Sequence, residues 1–207
     1  MLPPLPLPTY TPQLLAALTA FGLAAGFTPG PNNAMLMASG ANFGLKATLP
    51  HLCGVIVGFT GLLALCGLGL AGAFAAWPVL HGALKWGGGA YLLWLAWKIA
   101  TAEGIGRREG RGRPLSFAQA AAFQAVNPKG WAMSLSTVSA YVPQKGFLAN
   151  LAVAVALFAA ITVCSASAWT AFGVGLRRFL DRPAILRAFN VTMALLLVAS
   201  LWPIFAE

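Results

Sequence analysis

Residues 13–41 read QLLAALTAFGLAAGFTPGPNNAMLMASGA, an apolar run long enough to cross a membrane, interrupted near its middle by TPGPNN at residues 28–33. At ~1.5 Å rise per residue, about 20 helical residues cross the ~30 Å hydrocarbon layer of a bilayer. Working outward, further apolar stretches follow at roughly 51–76, 79–100, 117–142, 147–176 and 184–205. None alternates apolar with polar residues as a barrel strand does. A helix is then the spanning element that satisfies its own backbone. Composition agrees: 59% of the 207 residues are apolar and 8% are charged, against about 45–50% and about 25% in soluble domains. So few polar groups do not clothe a water-facing surface, and so much apolar surface excludes a disordered chain. The expected fold is all-α: one polytopic membrane domain over residues 1–207 with six transmembrane helices.

Charge sets the expected orientation. Lys46 lies in the first connection; Lys98, Arg107, Arg108, Arg111 and Arg113 lie in or beside the third; Arg177, Arg178, Arg182 and Arg187 lie in or beside the fifth. An even crossing count puts these on one side, with Lys145 alone on the other. The positive-inside rule makes the basic side cytoplasmic and places both termini outside the cytoplasm. The formal charge of +9 is thus read as an orientation signal, with no nucleic-acid partner expected, and the lipid bilayer is the first partner. The opening MLPPLPLPTYTP has no basic residue and is not expected to be a removable signal peptide. Cys53, Cys66 and Cys164 show no paired spacing and read as small buried residues, neither disulfide nor metal framework.

The interruption in the first stretch has a counterpart. NPKG at residues 127–130 breaks the fourth with the same mixture of proline, glycine and polar amide. Proline lacks the amide donor and clashes with the preceding turn, and glycine admits angles that other residues resist. Helices 1 and 4 are therefore expected to be broken. Lys129 lies 12 residues into its stretch, about 18 Å deep, and residues 28–33 lie about as deep from the opposite face. Three spans (about 13–100), a basic cytoplasmic loop (about 101–116) and three more spans (about 117–205) relate the two halves as inverted repeats. Interrupted segments at corresponding positions of two halves are the sequence pointer to a transporter's binding site. Two proline kinks that only shape packing are the alternative.

The four acids, Glu103, Glu109, Asp181 and Glu207, all lie outside the apolar stretches. Yet Lys129 is deep in the fourth and Lys85 is inside the third. An ammonium at the bilayer centre costs at least ~2.5–3.5 kcal/mol on insertion scales, so Lys129 needs neutrality, a wet cavity with backbone carbonyls, or an anionic group carried by a ligand. The half-helix after each break offers free amides and a positive dipole end. These features suit a carboxylate ligand. Lys85 has a stem long enough to snorkel. His51 and His81, near span ends, are secondary candidates for pH-dependent coupling. No metal and no cofactor are expected, because hard cations want clustered oxygens and soft ones clustered His or Cys. Nor is there an HExxH, phosphate-loop or GxSxG signature, so an enzyme is not expected.

TPGPNN, the following SGANFGLKATLPHLCGVIVGF, the GGGAYLLWLAWKIA of the third stretch and FQAVNPKGWAMSLS of the fourth together resemble the LysE/RhtB family of bacterial amino-acid exporters. The resemblance implies a six-helix inner-membrane protein, dimeric, exporting amino acids or close derivatives on the proton-motive force. It places the substrate site on the paired proline motifs, here Thr28, Pro29, Gly30, Pro31, Asn32, Asn33, Asn127, Pro128 and Lys129. With no intramembrane acid to pair a cationic side chain, small neutral amino acids are the expected cargo. A non-transporting scaffold or assembly subunit, and a small-solute channel, are the rival functions. Gly54, Gly58 and Gly61 and the glycines at 87–89 are expected at helix contacts. Trp77, Trp86, Trp94, Trp97 and Trp202 are expected as interface anchors or lipid-facing bulk.

Overall fold

A computed structural model describes residues 7–70, 78–101, 113–180 and 182–199. The structured elements among them are all helical: α1 (Pro12–Phe27), α2 (Pro31–Phe43), α3 (Leu45–Leu65), α4 (Pro78–Ala100), α5 (Phe117–Phe123), α6 (Pro128–Ser136), α7 (Phe147–Leu176) and α8 (Pro183–Ala199). Two stretches, Leu45–Gly69 and Phe147–Phe179, are each long and apolar enough to cross a bilayer, and α1 with α2, bent by 51° at their break, make a third. Lying outside the described residues are Trp77, Trp202, Glu103, Glu109, Asp181, Glu207, Arg107, Arg108, Arg111 and residues 1–6 of the proline-rich start.

The breaks follow from local chemistry. Thr11 caps α1, its hydroxyl accepting from the Leu14 amide at 3.2 Å, with Pro12 in the first turn. The helix stops at Thr28, whose extended backbone is what a following proline imposes. Gly30 is extended, and Pro31 opens α2. The same device recurs downstream: Ser116 and Gln119 form a capping box at the start of α5, a single 3-10 turn spans Gln124–Val126, and extended Asn127 precedes Pro128 at the head of α6. A proline at the first helical position loses nothing, since that amide has no intrahelical partner. Both expected breaks are present.

Glycines set how closely the helices approach. A methyl group at Gly40 would strike the Thr170 carbonyl, and one at Gly173 the Met37 carbonyl, so α2 and α7 touch backbone to backbone. Gly54 and Gly58 do the same for α3 against α5, where a methyl at Gly58 would lie 2.7 Å from the Ala121 Cα. The GxxxG spacing thus serves internal packing, whereas Gly61 and Gly87 face open space. Trp86, Trp94 and Trp97 are exposed on α4, as lipid-facing bulk would be. One expectation is corrected: Cys66 is buried, but Cys53 and Cys164 are exposed. An apolar environment in this chain includes the lipid, so a cysteine in an apolar run need not be inside.

One end of the molecule is recognisable by Asn150. Its amide oxygen accepts from the Thr9 backbone at 2.7 Å, and its nitrogen donates to the Pro143 and Lys145 carbonyls. The start of α1, the chain after α6 and the start of α7 therefore meet there, and the turn after α3 joins them through Gly67 against Leu151.

Candidate functional site

The last carbonyls of α1 have lost the amides of a continuing helix, and side chains from three other helices replace them. Gly26 O accepts from Asn33 Nδ2 at 2.8 Å and from Ser165 Oγ at 2.7 Å. Thr28 O accepts from Asn33 Nδ2 at 3.0 Å and from Lys129 Nζ at 2.6 Å. A cation at a helix C-terminus is where the macrodipole favours one. Lys129 crosses from one break to the other, and Gly30 makes room for it: a methyl there would lie 2.8 Å from the lysine Cδ. That close approach, rather than unusual backbone angles, is why glycine occupies position 30.

A second bridge joins the breaks. Asn32 Nδ2 donates to Gln124 Oε1 at 2.9 Å, and Gln124 Nε2 donates back to Asn32 Oδ1 at 3.0 Å. Gln124 Nε2 also donates to the Ala120 carbonyl at 3.1 Å, and Asn127 Nδ2 donates to Gln124 Oε1 at 3.1 Å. Because a carbonyl only accepts, Ala120 O fixes which end of the Gln124 amide is nitrogen, and that fixes Asn32 and Asn127 in turn. The outcome is specific: Asn127 is 2% exposed, and its Oδ1 has no partner among the described residues.

Between these groups lies a cavity with a free volume of about 50 Å³, lined by Asn32, Asn33, Asn127 and Lys129, by Val55 and Phe59 of α3, by Met133 of α6 and by Thr162 and Ser165 of α7. At roughly 10–15 Å³ per water this holds about four waters, which occupy about 120 Å³ as liquid.

Of the residues singled out in the sequence, Gly30, Pro31, Asn32, Asn33, Asn127 and Lys129 line this space, whereas Thr28, Pro29 and Pro128 flank it without lining it. Asn33 spends both amide hydrogens on carbonyls and so acts as a structural cap. Lys129 has three N–H donors and uses one. His51 is 1% exposed, and neither ring nitrogen has a partner among the described residues. It sits one helical turn before Val55 on α3. His81 and Lys85 fall in the part of α4 whose side chains lie outside the described residues. Sequence reasoning missed Gln124, Thr162 and Ser165; their one signal is that each is a polar residue in an apolar run.

The family model for the LysE type translocator matches residues 23–200, which include both breaks and the whole cavity lining. The chain belongs to the LysE family. Among its relatives, the cysteine/O-acetylserine efflux protein of Escherichia coli (strain K12) is 33% identical over 191 residues, covering 91% of this chain and 95% of the relative. The protein of that name from Shigella sonnei (strain Ss046) gives the same figures. The one from Salmonella typhimurium is 32% identical over 194 residues with the same coverage. No solved structure matches the chain. As a LysE family member it is a membrane protein of amino-acid export, and its relatives are named as efflux proteins, not enzymes.

Proposed function

We propose that the chain is a secondary active exporter of small neutral amino acids across the bacterial inner membrane, coupled to protons. The observation that carries this reading is the pairing of two unspent valences in one cavity. Lys129 retains two N–H donors, and Asn127 retains a buried acceptor oxygen. An amino acid supplies both complements, its carboxylate to the lysine and its ammonium to the amide. No carboxylate among the described residues lines the cavity, so a cationic side chain finds no partner there, and space for about four waters suits a short side chain. Cysteine and O-acetylserine, which give the relatives their names, fall within this class.

The finer architecture belongs to the same proposal: six crossings, both termini outside the cytoplasm, two inverted three-helix repeats and a homodimer, the last drawn from the family resemblance alone. The repeats are supported by their matching breaks, Gly30-Pro31 and Asn127-Pro128, each an extended residue before a helix-opening proline. Proton coupling is assigned to His51, a buried imidazole without a partner among the described residues, one turn from the cavity wall.

One observation favours a second, purely structural reading. The bond from Lys129 to the Thr28 carbonyl is also what a scaffold would use to seal a broken helix. Export separates the two. Vesicles loaded with a panel of amino acids, with and without a pH gradient, should show saturable efflux of small neutral members that grows with the gradient. A scaffold shows none, and a channel shows flux without saturation.

A further inference from the structure

Most threonines in and beside these helices turn their hydroxyls back onto the carbonyl four residues earlier, Thr137, without a partner among the described residues, being an exception. Thr19, Thr28, Thr48, Thr60, Thr170 and Thr192 all do so. Such back-bonding is how a helix satisfies a hydroxyl that water does not reach. Thr162 lines the cavity, and its hydroxyl makes no hydrogen bond among the described residues. Its hydroxyl is therefore free for whatever fills that space.

Its place along the helices says which part of a ligand it meets. From the layer of Lys129, Asn127, Val55 and Ser165, each contributing helix takes one turn toward the end marked by Asn150. On α6 the step is from Lys129 to Met133, on α3 from Val55 to Phe59, and on α7, which runs the opposite way, from Ser165 to Thr162. At ~1.5 Å per residue these steps are about 4.5–6 Å, the distance from an amino acid's head group to the tip of a short side chain. Toward the same end Phe59 continues into a packed ring cluster: Phe59 meets Phe158 edge-on at 5.9 Å, Phe158 meets Phe21 at 6.4 Å, and Phe21 stacks on Tyr141 at 5.2 Å. The outer layer thus offers two apolar walls, Phe59 and Met133, and one hydroxyl.

We infer that Thr162, which lines the cavity together with Phe59 and Met133, is the specificity residue of this site and selects amino acids whose short side chain ends in a hydroxyl, thiol or comparable polar group over apolar side chains of the same size. This rests on the export reading above and deepens it. The hydroxyl donates to or accepts from the side-chain tip, and the small volume of the cavity disfavours longer chains. No charged group among the described residues lines that layer, so the preferred side chain is neutral.

The test compares serine and cysteine with 2-aminobutyrate, an apolar analogue of similar length, by efflux from loaded vesicles and by ligand-induced thermal stabilisation of the detergent-solubilised protein. In Thr162→Val and Thr162→Ala the preference for serine over 2-aminobutyrate, as the ratio of kcat/KM values, should fall about tenfold, the upper range for one net hydrogen bond. Thr162→Ser should restore it. Each ratio is internal to one variant, so a change in expression cancels, and the stabilisation ratio reports binding where flux is lost. An unchanged ratio in both variants, or a fall that Thr162→Ser does not reverse, overturns the assignment while leaving export in place. Absence of saturable efflux of any amino acid by the parent overturns the export reading and this inference with it.

Discussion

Replacing Gln124 by methionine keeps the side chain's length and removes its amide. In the parent that amide is 1% exposed and serves Asn32 twice, Asn127 once and the Ala120 carbonyl once. The variant leaves the Asn127 nitrogen without a partner in a buried position and strips Asn32 of both bonds. A buried polar group left unsatisfied costs about 1–3 kcal/mol. Asn32 is half-buried against the cavity, where water takes up part of the loss, so the expected total is about 2–4 kcal/mol. For a chain of this size that is a fall in Tm of about 5–10 °C, measured by tryptophan fluorescence in detergent. A cycle sharpens the test: Asn32→Leu alone takes the reciprocal pair from Gln124 and leaves it only the bonds to Ala120 and Asn127, but the double variant removes both members of that pair. It should therefore be less destabilised than the sum of the singles by about 1 kcal/mol or more. A Gln124→Met protein melting with the parent, or strictly additive losses, would refute the bridge between the two breaks.

The glycines separate packing from open surface. Gly173→Ala drives a methyl into the Met37 carbonyl and should cost about 3 kcal/mol, the upper end for overpacking, whereas Gly61→Ala meets nothing within 4 Å and should raise stability by up to about 1 kcal/mol; thermal melts of the two variants check both signs. For His51, replacement by leucine should leave exchange of internal for external amino acid running while abolishing the acceleration by a pH gradient. Gradient-driven efflux undiminished in that variant would remove the histidine from coupling.

The helices and their breaks were legible because proline and glycine act locally: the residues that stop α1 and open α2 are neighbours in sequence, and so are those that stop the 3-10 turn and open α6. Lys129 was legible as an anomaly, a cation in an apolar run with no acid to meet it. Its partner was not, because Thr28 O is 101 residues away and backbone carbonyls carry no sequence signature. The same holds for Asn32 and Gln124, 92 residues apart, where either amide alone reads as a polar residue of no particular role. Asn33, a candidate ligand by its place in the motif, also caps α1, a role hidden in the sequence since only the fold brings its nitrogen onto two orphaned carbonyls. Cys53 and Cys164 show a further limit. In a bilayer the lipid-facing and core-facing sides of a helix are both apolar, so hydrophobic patterning that finds the inside of a soluble protein does not find it here.

If the Lys129 ammonium receives a carboxylate, serine and serinamide, which lacks that charge, bind differently to the parent and alike to Lys129→Met. Charge-assisted hydrogen bonds contribute about 1.5–3 kcal/mol. The parent should therefore bind serine at least about tenfold more tightly than serinamide, and the variant should have lost most of that preference. A Lys129→Met protein that still discriminates between the two as the parent does would contradict the account.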